Sequence, residues 1–252
     1  MPPVLEIRGL NKSFDGIVVA DGIDLTLEAG RVVGLIGPNG AGKTSLFNLV
    51  SGVVQPDSGT ILLEGQPLAR LKIHERARRG LSRTWQNLRL FPSLTVLDNL
   101  LVAPRDYAGE SLLRPVLSPR RVRRESEADR ARARDILAHT GLAGVSGKSV
   151  GELTFGQQKL VGVARALMND ARCLLLDEPM AGVEGQAYQT IQAVVRELAA
   201  SGVAVCVVEH NVAFIRDLCD EGVFMFAGKV LSRGPVHDLI ADPRLTELYF
   251  GT

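Results

Sequence analysis

The sequence contains no apolar run of the length that crosses a membrane. Its longest apolar stretches are short, as at residues 203–208, whereas a bilayer-spanning helix needs about 20 apolar residues. The first six residues lack the basic stretch followed by an apolar one that begins a secretory signal. We therefore expect neither a membrane span nor a secretory leader.

The chain also has few cysteines and a small net charge. The three cysteines, Cys173, Cys206 and Cys219, do not have the paired spacing of a metal site, and the first two lie in apolar runs typical of strands. This pattern predicts small core residues in a reducing compartment. The formal net charge is +1, so the chain as a whole has no charge-driven attraction to nucleic acid or anionic lipid.

Apolar runs alternate with helix-like segments along most of the chain, which is typical of a parallel α/β sheet. The candidate buried strands are 32–36, 172–176 and 203–208. The N-terminal part contains shorter candidate strands, namely 4–10, 17–19, 23–27 and 61–64. Turn residues such as Asp21-Gly22 separate these shorter strands, so we predict an antiparallel β layer there.

The middle of the chain has helical character. Thr95 and Asp98 resemble a capping box that begins a helix, and Ser118-Pro119 fits an N-cap followed by proline at the first helical position. Arginines are dense from Arg114 to Arg134, with acidic residues among them. The main interpretation is a solvated helix of mixed charge. The alternative is a contact with nucleic acid or lipid, although no aromatic residues are interleaved.

The most informative segment is Gly37–Thr44, which matches the phosphate-binding pattern G-x-x-x-x-G-K-[ST] between an apolar strand and a helical pattern. The glycines let backbone amides point at an anion, and the helix N-terminus adds N–H groups and the positive end of its dipole. The glycine order excludes the dinucleotide-binding pattern G-x-G-x-x-G. We predict that Lys43 reaches the β- and γ-phosphates and that the Thr44 hydroxyl binds Mg²⁺. The predicted phosphate-binding residues are Gly37, Pro38, Asn39, Gly40, Ala41, Gly42, Lys43, Thr44 and Ser45.

Two acids end the apolar run that begins at Cys173, and strand ends of a parallel sheet face the ligand crevice. Asp177 is suited to hold Mg²⁺ directly or through water, and Glu178 is suited to polarise an attacking water. Gln86 fits a bridge to Mg²⁺ or that water, although a lone glutamine is more often a surface amide. His210 follows another apolar run and fits a contact with the γ-phosphate, although a lone histidine is more often structural.

Thr154 precedes a predicted helix that runs through Leu167, with Gly156 just inside it. Such a helix start exposes N–H groups and a hydroxyl to an anion. A simple N-cap explains the threonine as well, and nothing in the segment itself requires a second phosphate site.

In this order, the P-loop, Gln86, the segment 153–157, Asp177-Glu178 and His210 resemble the motifs of the nucleotide-binding subunit of an ABC transporter. The resemblance covers essentially the whole chain. It implies an α/β fold with a P-loop NTPase (RecA-like) core, an N-terminal antiparallel β layer and an inserted α-helical subdomain.

The same resemblance implies the limits of these parts within a single ATP-binding domain of residues 1–252. The core and β layer would comprise 1–87 and 158–252, and the helical subdomain 88–157.

The resemblance also implies a role for each matching residue, with ATP and Mg²⁺ as ligands. Phe14 would stack on adenine. The implied catalytic residues are Lys43, Gln86, Glu178 and His210, and the implied Mg²⁺ ligands are Thr44, Gln86 and Asp177. Two subunits enclose two ATP molecules in this family, so a further group would cap the γ-phosphate of ATP on a partner subunit: Thr154, Phe155, Gly156 and Gln157.

A narrower resemblance is to the ATPases of branched-chain amino-acid importers. It is carried by the helical insertion and by residues 83–87, 90–92, 95–99, 208–211 and 248–251. The chain departs from the usual residues at Thr154, where serine is common, and at Phe155, Glu184 and Trp85.

The resemblance implies an ATP-hydrolysing subunit, peripheral on the cytoplasmic face of the cell membrane. Its expected partners are integral membrane permeases, a second ATPase subunit and, indirectly, a substrate-binding protein if the transporter is an importer. No direct contact with nucleic acid is expected.

Three alternative functions differ in how well the sequence supports them. A lipid or lipopolysaccharide exporter stays open, because cargo contacts lie on other chains. A soluble ABC-type ATPase acting on DNA or ribosomes is less favoured, since the chain has no second ATPase unit, coiled coil or zinc-binding insertion. A P-loop kinase or GTPase has no support, since the guanine-reading Asn-Lys-x-Asp is missing.

Overall fold

The computed structural model describes residues 2–84, 89–103 and 119–250. The chain divides into two compact units. Unit 1 comprises 1–86, 171–181 and 195–252, and unit 2 comprises 87–170 and 182–194. The subdomain limits implied by the resemblance stay a prediction.

Ten strands and nine α-helices are present in the described ranges. The strands are β1 (Leu5–Phe14), β2 (Ile17–Leu27), β3 (Val32–Ile36), β4 (Ser58–Leu63), β5 (Gln66–Pro67), β6 (Leu81–Arg83), β7 (Cys173–Asp177), β8 (Ala204–Val208), β9 (Glu221–Phe226) and β10 (Lys229–Gly234). The helices are α1 (Lys43–Ser51), α2 (Ile73–Arg78), α3 (Val96–Leu101), α4 (Pro119–His139), α5 (Phe155–Leu167), α6 (Gln186–Ala200), α7 (Val212–Leu218), α8 (Val236–Ala241) and α9 (Pro243–Phe250). No described helix is both long and apolar enough to span a membrane.

A six-stranded sheet of order β10-β9-β3-β8-β7-β6 forms the centre of unit 1. Its neighbours pair in parallel, except β10, which is antiparallel to β9. Every residue of β3, β7 and β8 is buried, as expected for strands covered on both faces. The prediction of a parallel α/β sheet is therefore confirmed, and the three predicted strands agree with β3, β7 and β8 to within one residue at each end.

The second sheet of unit 1 is antiparallel, with the order β2-β1-β4-β5. The predicted antiparallel layer is confirmed, but the predicted turn at Asp21-Gly22 is wrong, because 17–27 forms one strand. The β1–β2 register shifts opposite this dipeptide. Gly22 takes a φ of 60°, and its amide donates to Asn11 Oδ1 at 2.8 Å. The turn residues are thus accommodated in a bulge.

Helices dominate unit 2. The Thr95 hydroxyl accepts the Asp98 amide at 3.0 Å and begins α3, as predicted. Helix α4 is described from Pro119 onward, while Ser118 and Arg114, where the arginine-dense segment begins, lie outside the described residues, so the predicted N-cap at Ser118 stays a prediction.

The cysteines predicted to be core residues are buried at Cys173 and Cys206. Burial raises the pKa of the Cys173 thiol to about 12 and raises that of Cys206 as well. Both thiols are therefore protonated near neutral pH and chemically inert.

Candidate functional site

The phosphate-binding loop joins β3 to α1 in unit 1. Its glycines include Gly40 and Gly42, with φ of 80° and 100°, a region that disfavours residues with a Cβ. Gly42 is the N-cap of α1, and no side chain caps this helix. The first-turn amides of α1, which have no intrahelical acceptor, are therefore available to a ligand.

Close backbone approaches fix two of these glycines. A Cβ on Gly37 would lie 2.1 Å from the carbonyl oxygen of Met225, and one on Gly42 would lie 2.5 Å from that of Val19. The loop is thus confined between β9 and β2, and only glycine fits at these positions.

Phe14 lies at the end of β1 and pairs with Ile17 across the hairpin to β2. Both side chains are exposed. The Lys12 ammonium lies 5.0 Å from the centroid of the Phe14 ring. Because Val19 of the same hairpin contacts the phosphate-binding loop, an exposed aromatic ring is available on the strand pair beside that loop.

Lys43 is buried within the loop. Its ammonium donates to the carbonyl oxygens of Gly37 at 2.6 Å and Pro38 at 2.9 Å. Burial lowers the pKa of Lys43, and the carboxylates of Glu178 and Asp177 oppose that shift. The two acids predicted from the sequence are therefore near enough to this lysine to act on its charge.

Asp177 ends β7 and forms a buried ion pair with Arg83 at the end of β6. Nη2 of Arg83 donates to Asp177 Oδ2 at 2.7 Å, and the two side chains are only 5% and 3% exposed. The Asp177 amide donates to the Thr84 hydroxyl at 3.2 Å. Arg83 thus holds the carboxylate and Thr84 holds the backbone amide of Asp177, and neither residue was assigned to the site from the sequence.

Glu178 has a left-handed backbone with φ of 48°, which is rare for residues other than glycine. Its amide donates to the Val208 carbonyl at 2.9 Å and its carbonyl accepts the Ala181 amide at 3.3 Å, so hydrogen bonds hold this conformation. The side chain turns toward His210, and Glu178 Oε1 lies 3.1 Å from His210 Nε2. The structure thus brings together two residues that are far apart in the sequence.

Glu209 was not predicted as a site residue, although it precedes His210. It is 5% exposed and accepts the amide of Met180 at 2.6 Å and those of His210 and Asn211 at 3.1 and 3.4 Å. Burial raises its pKa, and the three amides oppose the shift. Glu209 therefore joins the segment after β7 to the segment after β8.

The residues present fit Mg²⁺ bound together with phosphate. In the ranges that the structure describes, no three His, Cys, Asp or Glu side chains form a metal cage. Mg²⁺ typically takes one or two protein ligands and completes its shell with phosphate and water. The donors are the exposed Thr44 hydroxyl and the Asp177 carboxylate. Gln86, the third predicted ligand, lies outside the described residues, as do Trp85 and Asn87.

The segment 154–157 lies in unit 2 and begins α5. The Thr154 hydroxyl accepts the Gln157 amide at 3.3 Å, and Gln157 Oε1 accepts the Thr154 amide at 3.1 Å. This reciprocal capping box accounts for the threonine within this chain. Phe155 is half exposed, and its ring packs against Gly182, where an added Cβ would be 3.0 Å away. The predicted phosphate contact of this segment stays a prediction.

Comparison with known proteins identifies similar chains over the full length. Residues 20–181 match the family model described as ABC transporter. The chain is 34% identical over 250 residues to the branched-chain amino acid transport ATP-binding protein BraF of Pseudomonas aeruginosa, covering 99% of this chain and 98% of that protein. It is also 34% identical over 251 residues to the lipopolysaccharide export ATP-binding protein LptB of Acidithiobacillus ferridurans, covering 100% and 98%.

Solved structures show the same similarity. A nucleotide-free ATP-binding cassette from an ABC transporter superposes with a TM-score of 0.86 at 30% identity, covering 100% of both chains. The cbiO1 protein of Clostridium perfringens, part of the ABC transporter complex cbiONQ, superposes with a TM-score of 0.78 at 25% identity, covering 98% and 93%.

Proposed function

Because this chain belongs to the ABC transporter family as an ATP-hydrolysing subunit, we propose that it powers the import of branched-chain amino acids or related small molecules. The cargo is supported by the full-length similarity to BraF and to LivG of Escherichia coli, the latter 32% identical over 250 residues. The roles of the site residues are supported by one observation above all. Lys43, Asp177, Glu178 and His210 converge in unit 1.

Binding of ATP begins with the phosphates at the N-terminus of α1. The loop amides and the Lys43 ammonium donate to phosphate oxygens, and Lys43 exchanges the carbonyls of Gly37 and Pro38 for them. Phe14 stacks on the adenine. Thr44 and Asp177 would hold Mg²⁺, which when bound neutralises charge on the β- and γ-phosphates.

Hydrolysis proceeds by attack of water on the γ-phosphorus, in line with the departing ADP oxygen. Glu178 orients this water and accepts its proton, while the bond from phosphorus to the bridging oxygen breaks. His210 holds the Glu178 carboxylate at 3.1 Å and contacts the γ-phosphate. Gln86 keeps its predicted role beside Mg²⁺ or the water.

A second ATPase subunit would complete each site. In this arrangement Thr154, Phe155, Gly156 and Gln157 cap the γ-phosphate of ATP held by the partner. The start of α5 supports this role, because Thr154 and Phe155 are exposed and no acidic residue stands in the first turn of the helix. Closure of the pair on ATP and reopening after hydrolysis would move the permeases.

Permease subunits would dock at the loop before α3, which places the chain peripherally on the cytoplasmic face of the membrane. Phe91 is 46% exposed, with Leu90 and Leu94 half-buried beside it. The fully buried Asn99 holds this loop, because its amide nitrogen donates to the carbonyls of Phe91 and Leu94 at 3.0 and 3.3 Å. The apolar surface is thus presented on a fixed backbone.

Lipopolysaccharide export is the second candidate. The similarity to LptB, at the same 34% identity as BraF, favours it over other cargoes. In either case the ATPase cycle is the same and the membrane subunits select the cargo.

The cargo is tested by uptake in the host. The chromosomal copy is replaced by the Glu178→Gln variant, and uptake of radiolabelled leucine, isoleucine and valine is compared with that of the wild-type strain. Import predicts loss of uptake of at least one of these amino acids at unchanged protein level. Normal amino-acid uptake together with loss of surface lipopolysaccharide would show that the chain powers lipopolysaccharide export instead of amino-acid import.

A further inference from the structure

We propose that Arg83 is a positioning residue that holds the Asp177 carboxylate against the P-loop helix and so sets the affinity of the site for Mg²⁺. This inference rests on the proposed function, which makes Asp177 a Mg²⁺ ligand. Arg83 itself touches neither ATP nor the metal in this role.

The Arg83 guanidinium joins two elements of the site. Its Nη2 donates to Asp177 Oδ2 at 2.7 Å, and its Nη1 donates to Asn48 Oδ1 at 2.8 Å and to Ser51 Oγ at 3.0 Å. Asn48 and Ser51 are three residues apart on α1 and therefore lie on the same face of that helix. One side chain thus connects the carboxylate at the end of β7 with the helix that begins at Lys43.

Burial makes this connection stiff. The Arg83 and Asp177 side chains are 5% and 3% exposed, so water scarcely competes for their charges. The guanidinium also lies 5.5 Å from the centroid of the Phe47 ring on the same helix. A planar guanidinium has donors in a fixed fork, so it sets the direction of the carboxylate as well as its distance.

Groups that hydrogen-bond to a metal-ligating carboxylate orient it toward the metal, and their loss weakens metal binding. Thr44, the other donor, lies in the first turn of α1. By holding Asp177 to α1, Arg83 keeps the distance and the orientation between the Thr44 hydroxyl and the Asp177 carboxylate constant. The prediction is therefore specific to Mg²⁺ and does not extend to nucleotide binding without metal.

A second buried arginine provides a matched control. Arg76 is 0% exposed and donates to the Leu49 and Val50 carbonyls of the same helix α1 at 2.8 and 2.7 Å. These acceptors are backbone carbonyls rather than a carboxylate. Arg76→Gln therefore tests the effect of losing a buried arginine that is hydrogen-bonded to α1, without a change at Asp177.

The experiment measures binding of a fluorescent ATP analogue to the purified full-length chain, first in EDTA and then across a Mg²⁺ titration. The variants are Arg83→Gln, Arg83→Lys and the control Arg76→Gln, with Arg172→Gln as an exposed control before β7. For Arg83→Gln we expect the Mg²⁺ concentration for half-maximal tightening to rise about 10- to 100-fold, with affinity in EDTA within about twofold of wild type. Arg83→Lys keeps the charge but not the fork, so its shift is smaller and in the same direction.

The Mg²⁺ titration distinguishes a positioning role of Arg83 from a purely structural one. If Arg83→Gln and Arg83→Lys need the same Mg²⁺ concentration as the wild type, Arg83 is merely structural, and the inference fails. The same conclusion follows if Arg76→Gln shifts the Mg²⁺ titration as far as Arg83→Gln. If Arg83→Gln does not fold, the soluble Arg83→Lys variant carries the comparison alone. If the wild-type chain binds no ATP analogue at all, the proposed function fails together with the inference.

Discussion

Glu178 is the residue at which backbone and side-chain constraints coincide. Its left-handed φ of 48° turns the side chain away from the course of β7, and His210 meets it at 3.1 Å. Such a conformation costs about 1–3 kcal/mol and persists only where the surroundings hold it. We infer that the strain serves to direct the carboxylate at the attacking water.

The Glu178→Gln variant should bind ATP but hydrolyse it about 10² to 10⁴ times more slowly, because an amide cannot accept the proton of the attacking water. Binding is measured with a fluorescent ATP analogue and turnover by phosphate release. Glu64→Gln is the control, since Glu64 is an exposed acid outside the site. Turnover at the wild-type rate in Glu178→Gln would remove the catalytic role.

Lys43→Ala should weaken ATP binding about 10- to 100-fold, because a hydrogen bond from a charged donor contributes about 1.5–3 kcal/mol. Titration calorimetry checks this expectation. An unaltered affinity would show that the loop amides alone hold the phosphates.

The pH dependence of ATP binding gives a second test of Lys43. Burial lowers the pKa of this lysine, and bound phosphate favours its charged form. The wild-type affinity should therefore fall as the pH rises through that lowered pKa, on the alkaline side but below the usual range for lysine. Lys43→Ala should lack this decline; if both proteins lose affinity in parallel, another group causes it.

At the scale of elements, α1 is held at both ends. Its N-terminus faces the phosphate site, and its last turn carries no basic residue of its own. Arg76 of α2 supplies that charge from outside and donates to the Leu49 and Val50 carbonyls. The helix that places Lys43 therefore depends on α2 for its stability.

Arg76→Gln should lower the free energy of unfolding by about 2–3 kcal/mol, since it removes a charged donor from buried carbonyls. Urea denaturation followed by circular dichroism measures the change. Arg79→Gln, at an exposed position just after α2, should change it by less than about 0.5 kcal/mol. Equal effects of the two substitutions would contradict the role of Arg76 as a cap.

The elements of the fold that could be predicted from the sequence are those that depend on short, local residue patterns. The P-loop, β3, β7, β8 and the Thr95 start of α3 follow from short patterns that need no distant partner. Strand β6 has three residues, too few for a periodic pattern, and it forms only by pairing with β7. The Asp21-Gly22 signal was strong but ambiguous, because the same residues suit a turn and a bulge.

Within the candidate site, the residues to which chemistry is assigned could be named from the sequence, and the residues that support them could not. Arg83 reaches Asp177 across 94 positions, and Glu209 reaches the Met180 amide across 29. From sequence alone, an arginine or a glutamate is expected at the surface. Only the fold shows that Arg83 and Glu209 are buried. Gln86 stays a prediction.

For the whole molecule, the proposed function assigns hydrolysis to residues of one copy of the chain and assigns the segment 154–157 to the ATP site of another copy or a related subunit. The apolar surface of Leu90, Phe91 and Leu94 offers the contact through which the ATPase cycle would reach the permeases.

Phe91→Glu should abolish amino-acid uptake in cells while leaving the ATPase activity of the purified chain unchanged, because a charge at this surface opposes an apolar partner. Val102→Glu is the matched control in the same unit, because its apolar side chain is 55% exposed against 46% for Phe91. If Phe91→Glu lowered the purified ATPase activity as much as uptake, or if Val102→Glu abolished uptake equally, the docking surface would be misplaced.

The most direct test of the whole account is affinity capture of the tagged chain from mildly solubilised membranes of its own host, followed by measurement of ATP hydrolysis in the captured complex. The account predicts recovery of multi-spanning permeases and a second ATPase subunit, with hydrolysis that is lost in the Glu178→Gln variant. Recovery of only soluble or nucleic-acid-associated proteins, with none of the chain in the membrane fraction, would contradict it.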